Sequence, residues 1–174
     1  MTEARRIELQ EPTVADGPAL WRMAKDSVTL DVNSPYAYLL WCRDFAATSV
    51  IARVDGQPGG FVTGYRRPDE PATLMVWQVA VDSAHRGAGL AGRMLDHLAE
   101  KLVPRGVTHL ETSITPDNEA SQRLFSGFAQ RWDAELDRSE LFEAALFGDS
   151  HLAEELFRIG SLRVNRPGGS ARQG

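Results

Sequence analysis

The sequence predicts an α/β (α+β) fold in which a mixed sheet of six or seven strands is flanked by about four helices. Three observations carry that expectation. Strand-like runs at 48–54, 60–65 and 73–81 follow one another with only turns between them, which makes a meander. After them the pattern becomes strand–helix–strand–helix–strand, so the sheet gains helical cover. Leu90, Met94, Leu95, Leu98 and Leu102 fall on one helical face, the spacing of a helix packed on a sheet.

The elements follow in chain order. Residues 5–10 alternate apolar and polar and read as a first strand. Asp16-Gly17-Pro18 starts a helix to about residue 27, with proline where its missing N–H costs nothing. Asp31-Val-Asn-Ser-Pro-Tyr36 is a polar loop feeding a second helix over 35–46, with Ser34 as N-cap. Asp55-Gly-Gln-Pro-Gly59 turns between the first two meander strands, and 68–71 turns between the second and third. Pro104 and Gly106 end the amphipathic helix. Residues 107–114 are a strand, and 118–129 a helix capped by Asp117 or Asn118. Two weaker strands are expected at 131–136 and 152–159. Residues 161–174, rich in Gly, Arg and Pro, read as a disordered tail, which leaves 1–160 as a single domain.

Composition narrows the function. A chain of 174 residues, 43% hydrophobic and 25% charged, suits one globular domain. Its net charge of −5 argues against a nucleic-acid partner, because no basic face can dominate. The single cysteine, Cys42, allows no intramolecular disulfide and no thiolate metal cluster. Its apolar setting, Tyr38-Leu-Leu-Trp-Cys42, suits a buried and inert thiol. His85, His97 and His109 lack metal-ligand spacing, so no metal is expected. With no hydrophobic leader and no apolar run able to span a bilayer, a cytoplasmic location without a membrane partner is expected.

The most informative stretch is VWQVAVDSAHRGAGLAGRML, residues 76–95. A strand ends at Val81, a short polar loop follows, and the glycine-rich Arg86-Gly-Ala-Gly-Leu-Ala91 opens a helix. Unpaired amides and the positive end of a helix dipole then meet at one place, which suits a pyrophosphate. Gly87-Ala-Gly89-Leu-Ala-Gly92 formally matches the dinucleotide fingerprint, and Glu111 sits near the expected ribose-binding acid. Three facts exclude that fold: Asp82-Ser-Ala-His-Arg86 separates strand from glycine, several strands come first, and too little chain follows. No Gly-Lys-Ser/Thr closes the loop, so it is not a Walker motif either.

Arg86-x-x-Gly89-x-Ala91 at the start of the helix after a central strand resembles the signature of the GNAT superfamily of acyl-CoA-dependent N-acyltransferases. The element order is similar as well, over nearly all of residues 5–160. The resemblance implies a mostly antiparallel mixed sheet and acetyl-CoA as co-substrate. It implies that the amides of Arg86, Gly87, Ala88, Gly89, Leu90 and Ala91 hold the pyrophosphate, and that the backbone of Val79, Ala80 and Val81 pairs with the pantetheine. Asn118-Glu-Ala-Ser121 is similar to the family's second motif, so Asn118, Ser121 and Phe125 are expected beside the cofactor. The chain departs from the family at one point. Many members place a tyrosine on this last helix to protonate the leaving thiolate, and here Leu124-Phe125 stands there. No general acid is assigned. A thiol with a pKa near ~8.5 is a tolerable leaving group without one.

Four longer stretches sharpen the resemblance: Leu30-Asp-Val-Asn-Ser-Pro-Tyr-Ala-Tyr-Leu-Leu40, Thr48-Ser-Val50, Val76-Trp-Gln-Val-Ala-Val81 and Glu111-Thr-Ser-Ile-Thr-Pro-Asp-Asn118. Together they resemble the diaminobutyrate acetyltransferases of ectoine synthesis. That likeness implies acetyl transfer to the γ-amine of L-2,4-diaminobutyrate, a small molecule with two ammoniums and one carboxylate. Asp31 and Glu111 can supply opposite charge, and Trp77 a cation–π face. Glu111, on the strand beside the cofactor strand, is the expected general base, or else an electrostatic anchor only. Asp31 either meets substrate or turns its loop. Tyr36 and Tyr38 cannot share one helical face, and Tyr38 is the one expected in the site. Asn33, in the same stretch as Asp31, and His151, in Gly148-Asp-Ser-His151, are further substrate contacts that the resemblance implies. A homodimer is implied on the same ground. The competing readings are a GNAT enzyme for another small amine, a protein acetyltransferase, and a silent acetyl-CoA-binding module.

Overall fold

The computed structural model describes residues 5–148 and 150–164. Seven strands form one sheet in the order β1-β2-β3-β4-β5-β7-β6. Here β1 is Ile7–Gln10, β2 Val50–Val54, β3 Gln57–Arg67, β4 Glu70–Val81, β5 His109–Ile114, β6 Glu135–Phe142 and β7 Glu154–Gly160. Every neighbouring pair is antiparallel except β4–β5. The mixed, mostly antiparallel sheet is therefore as expected, and so are the four α-helices: α1 Gly17–Asp26, α2 Pro35–Asp44, α3 Leu90–Leu102 and α4 Glu119–Arg131.

Strand alternation builds two cores, one on each face of the sheet. In β2, Val50, Ala52 and Val54 turn toward α3 and α4, whereas Ile51 turns toward α1 and α2. Leu90, Met94, Leu95, Leu98 and Leu102 of α3 pack into the first core, the stripe their spacing predicts. Tyr38 and Cys42 of α2 and Leu20 of α1 pack into the second. Burial pushes the Cys42 thiol up to about 11, which keeps it unreactive.

Three local features place the site. The β2–β3 turn shrinks from the five residues expected to two, Asp55 and Gly56, both with positive φ, and the strand resumes at Gln57. In β4 the register slips: Thr63 faces Gln78 but Gly64 faces Val76, so Trp77 is the extra residue of a bulge. The bulge sends Val76 into the α3/α4 core while Trp77 stacks on Trp41 of α2, ring centroids 4.5 Å apart. Finally, β4 and β5 pair only over 73–76 and 109–112. Beyond that they diverge, and a cleft opens between them.

The C-terminal part departs from expectation. Helix α4 runs to Arg131, whose guanidinium makes two hydrogen bonds to Asp96 of α3, so the strand expected at 131–136 begins only at Glu135. Strand β6 is an exposed edge strand with polar residues on both faces, hence its faint signal. The expected tail starts inside the fold: Leu162 is buried, and its N–H donates to the Thr108 carbonyl at 2.7 Å. Residues 165–174 of that expected tail lie outside the described residues. Among the described residues no helix is long and apolar enough to cross a membrane, and no group of three or more His, Cys, Asp or Glu is placed to hold a metal.

Candidate active site

The glycine loop has the backbone that a phosphate cradle needs. Gly87 and Gly89 sit at φ +80° and +70°, and a Cβ on either would meet nothing within 4 Å. The space beside each glycine is therefore open, and a side chain there would strain the backbone. Helix α3 begins at Leu90, and Arg93 N–H to Gly89 C=O (3.1 Å) closes its first turn, so the amides of 90–92 lack helical partners. The Leu90 side chain itself is buried in the core, so only its backbone can serve a ligand. Asn118 caps α4 by accepting from Ser121 N–H at 3.1 Å, whereas Ser34 stands at the N-cap of α2 without a side-chain bond.

Beside this loop runs a groove of about 360 Å³. Val79, Ala80 and Val81 form its strand side, and Arg86 and Ala91 its loop end. Asn118, Ser121 and Leu124 of α4 face them, and Ser27, Val28 and Thr29 after α1 close the top. A second, smaller chamber of about 170 Å³ lies in the β4–β5 divergence and shares Thr29, Val79, Asn118 and Ser121 with the groove. These shared residues set the two spaces side by side, a long arm and a short one. Phe125, expected beside the cofactor, lines the short arm instead.

Asp31, Trp77 and His151 all line the short arm. His151 Nδ1 donates to the Leu152 carbonyl at 2.5 Å, which turns Nε2 into the chamber. There Nε2 stands 3.6 Å from Asp31 Oδ2 and 3.7 Å from Glu154 Oε1. The imidazole stacks on Phe147 with centroids 4.2 Å apart. Glu154, the first residue of β7, was not anticipated from sequence. Burial raises its pKa above the ordinary glutamate value; the charge of Asp31 raises it too, while a Ser113 hydrogen bond and His151 oppose them. Its available signal was position: a carboxylate three residues after His151, opening a strand whose Phe157 and Ile159 alternate inward.

Three expected contacts lie elsewhere. Glu111 is buried outside the chamber, its carboxylate 2.5 Å from Arg158 Nη1 and 3.5 Å from Arg67 Nη1. Arg158 also holds both oxygens of Glu70, at 3.2 Å each. The two guanidiniums hold this carboxylate away from the chamber, so the structure places Glu111, the expected general base, outside the acceptor space. Tyr38 is fully buried and donates its hydroxyl to Gln78 Oε1 at 3.0 Å, so it stands behind the chamber wall. Asn33 does not line the chamber; its amide turns back toward the Asp31 carbonyl at 3.5 Å.

Known proteins resemble this chain in sequence and in fold. The acetyltransferase (GNAT) family pattern matches residues 18–128. The L-2,4-diaminobutyric acid acetyltransferase of Streptomyces avermitilis is 59% identical over 165 residues, covering 93% of this chain and 91% of the relative. That of Streptomyces coelicolor is 57% identical, covering 93% and 98%. Among solved structures, the diaminobutyrate acetyltransferase EctA of Paenibacillus lautus, in complex with its substrate L-2,4-diaminobutyric acid and coenzyme A, superposes with a TM-score of 0.87. It is 37% identical, and the match covers 94% of this chain and 99% of that one. The chain belongs to the acetyltransferase (GNAT) family, in the branch formed by the L-2,4-diaminobutyric acid acetyltransferases.

Proposed function

We propose that this protein transfers acetyl from acetyl-CoA to the γ-amine of L-2,4-diaminobutyrate, giving the N-γ-acetyl compound for ectoine synthesis. The observation that carries the reading is the two-armed passage. A long arm ending at an anion-binding loop meets, at Val79, a short arm carrying acidic side chains. At about 170 Å³ the short arm is smaller than the roughly 300–1,000 Å³ of drug-sized sites, which suits a metabolite of a few heavy atoms. The molecules named for the Paenibacillus lautus structure, its substrate L-2,4-diaminobutyric acid and coenzyme A, suit the two arms in charge, amines toward the acidic short arm and phosphates toward the amide loop.

The residues present fit acetyl-CoA: Gly87 and Gly89 leave the amide cradle open, and Val79, Ala80 and Val81 line the groove leading from it. When bound, acetyl-CoA supplies an acyl group activated as a thioester. The remaining work falls to the acceptor arm. Asp31 and the face of Trp77 hold one ammonium of the diamino acid. The other amine has a reference pKa near ~10.4, so it arrives protonated and must lose a proton before its lone pair can attack. Glu154 takes that proton, helped by a pKa that burial raises. His151 stands between Asp31 and Glu154 and keeps the two carboxylates apart.

The test is thiol release from acetyl-CoA with L-2,4-diaminobutyrate, ornithine, lysine and putrescine offered in parallel. Turnover concentrated on diaminobutyrate is expected. Preference for putrescine would move the assignment to a polyamine, and acetyl-CoA binding without turnover would make the chain a binding module. We further propose that the protein works as a homodimer. Strand β6 ends the sheet, and Phe142, Leu146 and Phe147 beside it are exposed. Light scattering should give twice the chain mass, and a monomer at micromolar concentration would refute this.

A further inference from the structure

We propose that Tyr38 and Gln78 are positioning residues that hold the 28–33 loop over the acceptor chamber, so that Asp31 faces His151 and Glu154. This rests on reading Asp31 as an acceptor contact. Gln78 Nε2 donates to the main-chain carbonyl of Asp31 at 2.9 Å. A carbonyl only accepts, so the Gln78 amide has one orientation, with Nε2 toward the loop and Oε1 toward Tyr38. Oε1 only accepts as well, so the Tyr38 hydroxyl donates to it across 3.0 Å. The hydrogen bonds run one way, from Tyr38 through Gln78 to Asp31.

The two anchors are rigid. Tyr38 is 0% and Gln78 4% exposed. Tyr38 meets Phe61 edge-on at 6.4 Å, and the Gln78 N–H donates to Thr63 Oγ1 at 3.2 Å beside the Trp77 bulge. The loop is the opposite. Val28 is 93% exposed and the Asp31 side chain 89% exposed. Among the described residues, Gln78 Nε2 to Asp31 O is the one hydrogen bond that ties 28–33 to the sheet. Leu30 packs against the second core beside it, and the Asp31 main chain is aimed through the Gln78 amide, which Tyr38 sets.

The test uses Tyr38→Phe, Gln78→Met and the double variant in the full chain. Hydrogen exchange should quicken over 28–34 in each single variant while the β3–β4 core keeps its protection. KM for diaminobutyrate should rise about tenfold, the scale expected for losing one buried hydrogen bond. The kcat should stay within about twofold, since Glu154 on β7 keeps its place, and KM for acetyl-CoA should rise less than that for diaminobutyrate, since only Val28 and Thr29 of the loop line the groove. Tyr38 acts through Gln78, so the double variant should be no worse than Gln78→Met alone. Additive losses, a fall in kcat at unchanged KM, or unchanged loop exchange would overturn the proposal. Exchange reads the anchor without substrate, so inactivity of the unaltered protein toward diaminobutyrate would refute the substrate reading and not this one.

Discussion

At the scale of the residue, the chemistry depends on how two glutamates are partnered. Glu111 faces two guanidiniums, whereas Glu154 is half-buried beside Asp31 and His151. A raised pKa keeps Glu154 protonated to higher pH, so its capacity as a base is lost as pH falls through that raised value and is full above it. The profile of kcat/KM against pH should accordingly show an acid limb centred above the ordinary glutamate value. Glu154→Gln should remove that limb and lower kcat by ~10²–10⁴, the range for general-base loss. Glu111→Gln should leave the limb where it was; a limb that moves with Glu111 and not with Glu154 would return the base to β5. Asp31, Trp77 and His151 line the short arm, and the family resemblance singled them out where local sequence alone left a turn, a core residue and a solvated histidine as readings. The partners of Glu111 were not legible, because a sequence places it beside β4 but cannot show Arg158, 47 residues away, closing on it. Glu154 was hidden because the weak strand expected at 152–159 carries no motif that marks its first carboxylate.

At the scale of the element, the cleft exists because β4 and β5 pair over only four residues each before they part. Arg158 of β7 sits at the paired end and reaches Glu111 of β5 and Glu70 and Thr73 of β4. It thus ties three strands just below the divergence. Its side chain is 29% exposed but that of Glu111 only 5%, so Arg158→Met leaves a buried carboxylate without its nearest partner. The expected loss is about 3 kcal/mol, the low end for breaking a buried pair, read from the urea midpoint. Glu111→Gln in the same chain should restore most of it, because the charge to be buried is gone. A loss under ~1 kcal/mol would class the pair with exposed salt bridges and remove the clamp from the account. Hairpins and amphipathic helices were readable because their determinants are local: Asp55-Gly56 for a turn, the Leu90–Leu102 stripe for α3. The Trp77 bulge and the start of β6 were not, since each is set by what lies across the sheet or on α3.

At the scale of the whole molecule, the two spaces share Thr29, Val79, Asn118 and Ser121. Strand order and the glycine loop made the long arm legible from sequence. The short arm is assembled from five separate segments, the loop before α2, the bulged part of β4, the end of β5, the start of α4 and the start of β7, so it exists only after folding. Both cores serve it: one fixes α3 and the phosphate loop, the other fixes α2 and, through Tyr38, the acceptor loop. The central claim is that this passage brings the terminal amine of a small diamino acid to the end of the acetyl-CoA groove. The measurement that tests it most directly is NMR of the product formed from acetyl-CoA and L-2,4-diaminobutyrate. Acetyl on the γ-nitrogen alone is predicted, and acetyl on the α-nitrogen, a mixture of the two, or no acetylated diamino acid would contradict it.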